Sequence, residues 1–549
     1  MRSLRPLLIL LVVGVIAVGS LILLFLPRGN NPITSNTGGT FVEGVVGTPQ
    51  FMNPLLCDSD TDRDLCGLLF SGLTRFDENG EVVPDLASTW SISENGLTYT
   101  FKLRQDLKWE DGTPLTADDV LFTVKLLQDK DFPGRQDIGQ LWRTVRVEKP
   151  DNYTVQFVLR QPYAPFLDVT TVGLLPVHIL KTTPAIELRG MTFNLQPKGN
   201  GVWRISEINS VSNRISTIVL EHSATYIGAR PKIGRLTFRY YSNSQALLDA
   251  FKNGDVDSMA NLSPADQQKA EALDNVTMYS ARISRYIGLF VNLRKDSTAI
   301  ALTEKQVRQA LMYALDRDAL IRDTLNGRGV VADAPFVPDT WAFDPTAPRY
   351  TYDPDRAKQL LRNAGFELTA IAPSNVEVWQ KAGEAIDFTL LTPDTGVYPA
   401  IAEAIAKQWR AIGVQVTVQP VRNLATVFAT TRPLQFQLAL VAVPLDGDPD
   451  PYAYWHQSRA AVGQNYTGWE NKEASDLIEQ ARTTSDRAVR AELYHKFQAI
   501  WTDEVPALPL YFPTYRYYVS ARVRDVQLGP ITYLSDRLRG LNQWSIGTK

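Results

Sequence analysis

The chain has 549 residues, 44% of them hydrophobic and 21% charged, an ordinary globular composition. That length exceeds what one core supports and implies about two to four domains. A net charge of −3 spread without a basic cluster leaves no electrostatic footprint for nucleic acid.

In chain order the first signal is an uncharged apolar run, Leu7 to Leu26, preceded by Arg2 and Arg5. Twenty residues at about 1.5 Å each span about 30 Å, the hydrocarbon thickness of a bilayer. A cleaved leader usually has a shorter apolar stretch of about 7–15 residues, and Pro27-Arg28-Gly29 offers no small-x-small site. Residues 1–27 are therefore expected to be a signal anchor, a transmembrane helix with the bulk of the chain outside; cleavage is the rival. Residues 28–40, rich in Gly, Asn, Ser and Thr, predict a flexible tether.

A short strand is expected from Phe41 to Pro49, then a helix from Asp60 ending near Gly72. Next come two hairpins, turning at Asp77-Glu78-Asn79-Gly80 and at Asn95-Gly96, the latter expected to be type I′ with both central residues at positive φ. Leu97, Tyr99, Phe101 and Leu103 share one strand face. Thr116 and Asp119 open a capped helix. Arg146–Glu148 and Tyr153–Leu159 alternate as paired strands. In Gly199-Asn200-Gly201 the glycines predict conformational freedom at a chain re-entry.

Further on, Asn253–Asp257 predicts a helix-to-strand turn and Arg285–Asn292 an apolar strand. Thr303 with Gln306 reads as a capping box before a helix burying Val307, Ala310, Leu311, Ala314 and Leu315. Asp353-Pro354 starts another helix that Gly365 ends. Strands follow at Val414–Val418 and Leu438–Val443. A last helix from Ser485 is expected to turn Val489, Leu493, Phe497, Ile500 and Trp501 to one side. The alternation of helices and strands makes this an α/β chain.

The segment GLTRFDENGEVVPDLASTWSISENGLTYTFKLRQDLKWEDGTPLTADDV, from Gly72 to Val120, resembles the signature of the family 5 extracellular solute-binding proteins. These are the peptide- and nickel-binding receptors of ABC importers. LLPVHIL from Leu174 and VRQALMYALDR from Val307 resemble the family as well. The resemblance implies a periplasmic-binding-protein-like type II fold, two lobes with a hinge plus an extra small α/β domain. Residues 41–74, 200–287 and 511–549 would form one lobe, 75–199 the extra domain and 288–510 the second lobe. Ala281–Asn292 and Leu508–Tyr518 would cross between lobes. The implied function is an extracytoplasmic, monomeric receptor that closes over a solute and delivers it to an ABC permease. Peptides are the expected ligands, since backbone recognition with roomy pockets suits a large cleft. A sensor or an envelope chaperone on the same fold is the competing class.

Cys57 is too far downstream to be the lipidated cysteine the family often uses. Cys57 and Cys66 suit a short-loop disulfide in an oxidising compartment, with two buried thiols as the alternative. The four histidines, His178, His222, His456 and His495, form neither a metal cluster nor a hydrolase motif, so no enzyme activity, cofactor or metal is expected.

The candidate ligand site is the loop from Val443 to His456. It follows a buried strand, and such loops point into the crevice of open α/β sheets. In peptide-binding relatives an Asp shortly before an Asp/Glu-Pro pair holds the ligand's α-ammonium; Asp446 is the nearest match, one residue closer to the Pro. Asp448 is a second candidate, and with Asp450 it equally suits Asx and Pro turns. Tyr454 and Trp455 could supply apolar walls, Asn53 and Asn292 polar contacts, against plain packing and turn roles for all four.

Overall fold

The computed structural model describes residues 38–295, 297–338, 340–371, 376–430, 436–445, 447–461 and 463–547. The expected anchor, most of the tether and Asp446 lie outside them. Among the described residues no helix is long and apolar enough to cross a membrane.

Strand β1 (Gly38–Val46) begins inside the expected tether, because β10 offers partners that far: Gly38 pairs with Ile233 and Thr40 with Arg235. Helix α1 (Asp60–Leu69) is capped by Ser59 and stops where Phe70 turns extended, short of Gly72. Gly72 serves packing instead, since a Cβ there would lie 2.6 Å from the Thr171 carbonyl carbon. The first hairpin joins β2 (Thr74–Phe76) to β3 (Val82–Pro84), and the second joins β4 (Ala87–Ile92) to β5 (Thr98–Leu103). Only Gly96, not Asn95, takes positive φ in the second turn. The Gly96 N–H bonds the Ser93 carbonyl at 2.8 Å, and Asn95 Oδ1 accepts from the Leu97 N–H at 3.1 Å. This corrects the type I′ expectation: a longer loop closes on one left-handed glycine, and the Asn side chain braces it. On β5, Tyr99, Phe101 and Leu103 are buried as their spacing requires.

Helix α2 (Ala117–Gln128) has the full Thr116/Asp119 capping box. β6 (Arg146–Asp151) and β7 (Thr154–Val158) complete a four-stranded sheet in the order β4-β5-β7-β6. The chain then returns through Gly199 and Gly201, neither at positive φ. Their requirement is close approach rather than freedom: a Cβ at Gly199 would sit 2.1 Å from the Leu69 carbonyl oxygen.

β8 (Trp203–Val211), β9 (Arg214–His222), β10 (Ile233–Tyr241), α3 (Ser244–Lys252), β11 (Ser258–Ala260), β12 (Val276–Arg282) and β13 (Arg285–Val291) follow. Helix α4 (Lys305–Tyr313) buries Val307, Ala310 and Leu311, but Glu304 precedes it without a side-chain cap. Thr303 instead ends a short preceding turn, donating its hydroxyl to the Ile300 carbonyl at 2.6 Å. After β14 (Gly329–Val331), Asp353 caps α5 (Pro354–Asn363), and Gly365 at φ +85° ends it. β15 (Glu367–Ile371), β16 (Val376–Lys381) and β17 (Glu384–Ala385) form a small antiparallel sheet. β18 (Asp387–Pro393), α6 (Tyr398–Arg410), β19 (Gln415–Val421), β20 (Leu438–Pro444), α7 (Lys472–Thr483) and α8 (Arg487–Glu504) lead to β21 (Ala507–Ser520). Asp486, not Ser485, caps α8, and Val489 is 46% exposed; Tyr494, Phe497 and Trp501 carry the buried face.

These strands build one long mixed sheet, β19-β18-β20-β13-β21-β11-β1-β10-β9-β8, with β12 and β14 also on β21. β21 is common to both halves: Leu508 pairs with Leu289 of β13, and Tyr518 with Met259 of β11. Along β13 side chains alternate between cores, Ile287, Leu289 and Val291 toward α4 and α6, Tyr286 and Phe290 toward α7 and α8. The other half is pinned by a fully buried ion cluster. Arg537 donates to both Asp64 oxygens at 2.7 Å and to Glu43 at 2.9 Å, while Ser258 and Tyr517 donate to the other Glu43 oxygen.

Candidate functional site

Pro444 at the end of β20 still pairs with Arg285 of β13, and the Leu445 N–H bonds the Ser284 carbonyl at 2.9 Å. The acidic loop therefore leaves the sheet beside β13, the neighbour of the β21 strand that joins the two halves. Asp446 lies outside the described residues. Asp448 is bound on three sides: Arg490 of α8 grips both carboxylate oxygens at 2.6 and 2.7 Å, and the Asp448 N–H donates to Asp168 Oδ2 at 2.5 Å. Burial opposes the Arg490 charge, yet its bonds to Asp448 raise the guanidinium above its ordinary range. Asp450 accepts from the Tyr452 N–H at 3.1 Å and pairs with Arg482 of α7 at 3.1 Å. Burial pushes the Asp450 carboxyl up, and Arg482 opposes the shift.

Tyr454 is half-buried, its ring 6.3 Å from Phe290. Trp455 gives its area to the core instead of a cleft wall: it is 2% exposed and packs edge-on against Phe290 and Trp501. Asn53 is buried, bonding Asn194 Oδ1 at 3.0 Å and the Leu55 N–H at 3.1 Å. Asn292 is likewise buried, donating to the Phe436 carbonyl at 2.8 Å and accepting from the Arg294 N–H at 3.2 Å. Both asparagines thus spend side-chain capacity on the backbone. The structure brings Asp448, Tyr454 and Trp455 together beside β13 and β20. Asn53 belongs to the half of the sheet that contains β1.

Cys57 and Cys66 form a disulfide nine residues apart that ties α1 to the preceding loop. His178 meets Asp111 at 2.8 Å, and His222 meets the Ile233 carbonyl at 2.8 Å. Among the described residues no group of three or more His, Cys, Asp or Glu could hold a metal ion. A surface cavity of about 550 Å³ lined by Lys102, Arg104, Asp151 and neighbours includes none of the candidate residues.

Sequence reasoning singled out the acidic loop and missed its counter-ions. Arg482 on α7 and Arg490 on α8 were the available signal: two cations that neutralise Asp450 and Asp448 once these carboxylates are buried.

Comparison with known proteins now fixes the class. Residues 81–465 match the family model for bacterial extracellular solute-binding proteins, family 5 (middle region), and the chain belongs to that family. It is 30% identical to the oligopeptide-binding protein AppA of Bacillus subtilis over 87% of this chain and 86% of that one. It is 29% identical to the dipeptide-binding protein of Escherichia coli over 88% and 91%. Among solved structures, AppA of Bacillus subtilis in complex with a nonapeptide superposes with a TM-score of 0.68 at 28% identity, covering 93% of this chain and 99% of that one. The mixed α/β fold is that of this family.

Proposed function

We propose that this protein is an extracytoplasmic peptide receptor that closes two lobes over an oligopeptide or dipeptide and delivers it to an ABC permease. The observation that carries the reading is the match, over nearly the whole length, to a relative solved with a nonapeptide in place. The lobes would be residues 41–74, 200–287 and 511–549 on one side and 288–510 on the other, with 75–199 as an extra domain. Separate apolar cores at the two ends of β21 support setting 288–510 apart from the rest, while residues 75–199 share one core with the first lobe; units with separate cores can bend against each other. The N-terminal apolar run would anchor a monomeric receptor to the membrane and raise its effective concentration at the permease.

Within the loop, Asp448 and Asp450 are neutralised by Arg490 and Arg482. Recognition of an α-ammonium would then rest on Asp446, with Tyr454 as an adjoining wall. Thermal-shift and tryptophan-fluorescence titration with a di- to nonapeptide library tests the assignment. Peptides should raise the melting temperature of the parent, and Asp446→Asn should weaken binding of peptides with a free α-amino group more than that of N-acetylated ones.

A further inference from the structure

The acidic loop and the helices behind it are clasped by the four-stranded-sheet unit. Four layers run across this boundary. The Arg482 guanidinium lies 4.9 Å from the Tyr163 ring on one side and 4.1 Å from the Tyr452 ring on the other. The Tyr452 ring stacks on His456 at 4.3 Å. Backbone bonds cross beside the stack: the Ala164 N–H donates to the Arg482 carbonyl at 2.9 Å, and the Asp448 N–H donates to Asp168. Gly447 permits this approach, since a Cβ there would lie 2.6 Å from Asp168 Oδ2 and 2.8 Å from the Phe76 ring. At the rim, Glu81 in the first hairpin binds both Arg487 amino groups at 2.6 and 2.8 Å.

Every one of these bonds joins residues of this chain, so their free energy accrues whether or not a solute is bound. We infer that they form a built-in latch that holds residues 75–199 against α7 and α8 before ligand arrives, and whose strength sets how much of the protein is closed in the absence of ligand. The inner contacts are shielded, while Glu81 and Arg487 are each about half exposed, at 50% and 52%. The rim pair is thus the adjustable part: strong enough to bias the equilibrium and weak enough to open. An exposed bidentate pair changes such an equilibrium by about 2–5-fold. Apparent ligand affinity follows the closed fraction in proportion. The latch rests on the two-lobe reading but acts in the ligand-free protein.

The test uses the full chain with spin labels at Glu94→Cys and Lys496→Cys, both exposed positions, the native cysteines being paired to each other. Distances are measured by pulsed electron resonance with no peptide added, and circular dichroism checks that each variant is folded. The parent should show one dominant short distance. Glu81→Lys should shift about 2–5-fold more of the population to a longer distance, and Tyr163→Leu, which removes the contact with the Arg482 guanidinium, should shift the population the same way. The exchange Glu81→Arg with Arg487→Glu should return it. A parent dominated by the longer distance, or folded variants with the parent's distribution, would overturn the latch. Because no ligand enters, this outcome is independent of whether peptides bind.

Discussion

Arg490 and Asp448 meet through two parallel hydrogen bonds at 2.6 and 2.7 Å, with 7% and 11% of their side chains exposed. Arg490 also donates to the Tyr494 hydroxyl at 3.1 Å and lies 5.0 Å from the Trp341 ring. Removing the cation leaves a shielded carboxylate whose lost hydration nothing replaces. Arg490→Ala should cost about 3–5 kcal/mol in urea unfolding, and adding Asp448→Asn should recover part of it. Additive losses would show that the pair is not coupled.

The buried cluster in the other half of the sheet predicts a larger asymmetry. Arg537 serves Asp64 and Glu43 together and is wholly inaccessible. Arg537→Met would strand two carboxylates, for an expected loss of about 3–5 kcal/mol or more. Arg537→Met combined with Asp64→Asn and Glu43→Gln should be more stable than Arg537→Met alone, measured by the same denaturant curve.

His456 supplies a pH signature. Its Nδ1 accepts from the Ser458 N–H at 3.2 Å, so protonation there breaks a backbone bond. Burial is the first cause lowering its pKa below 6.5; Arg482 and Arg459 push the same way, while Glu479 and Asp476 oppose. A depressed value means the unfolded chain takes up the proton first. Stability from neutral His456 is present above pH 6.5 and is lost as pH falls toward the folded value. Proton NMR titration should place His456 below 6.5, and a value above it would contradict this.

Reduction of Cys57–Cys66 should lower stability modestly. A loop closed by residues nine apart restricts the unfolded chain by about 2–3 kcal/mol. Thermal unfolding with and without reductant reads this directly, with Cys57→Ser/Cys66→Ser as the matching variant.

Local signals were readable in the residues where local chemistry decides. The Thr116/Asp119 box, the Asp353 cap and the period of β5 each act within a few positions, and all three stand in the structure. Thr303 failed because a short turn from Ile300 captured its hydroxyl before the helix could. Val489 has the spacing of a buried residue, but the buried face of α8 is rotated toward Arg490, Tyr494 and Phe497. The clasp around the acidic loop was beyond local reading: Asp168 and Asp448 are 280 positions apart, and Glu81 and Arg487 are 406 apart. Nothing in either neighbourhood names its partner.

Isothermal titration of the purified chain with a mixed-sequence library of two- to nine-residue peptides bears most directly on the receptor assignment. Saturable, one-to-one binding of at least one peptide class, abolished by digesting the library to amino acids, is the expected result. Absence of heat for every peptide length, from protein shown to be folded, would contradict it.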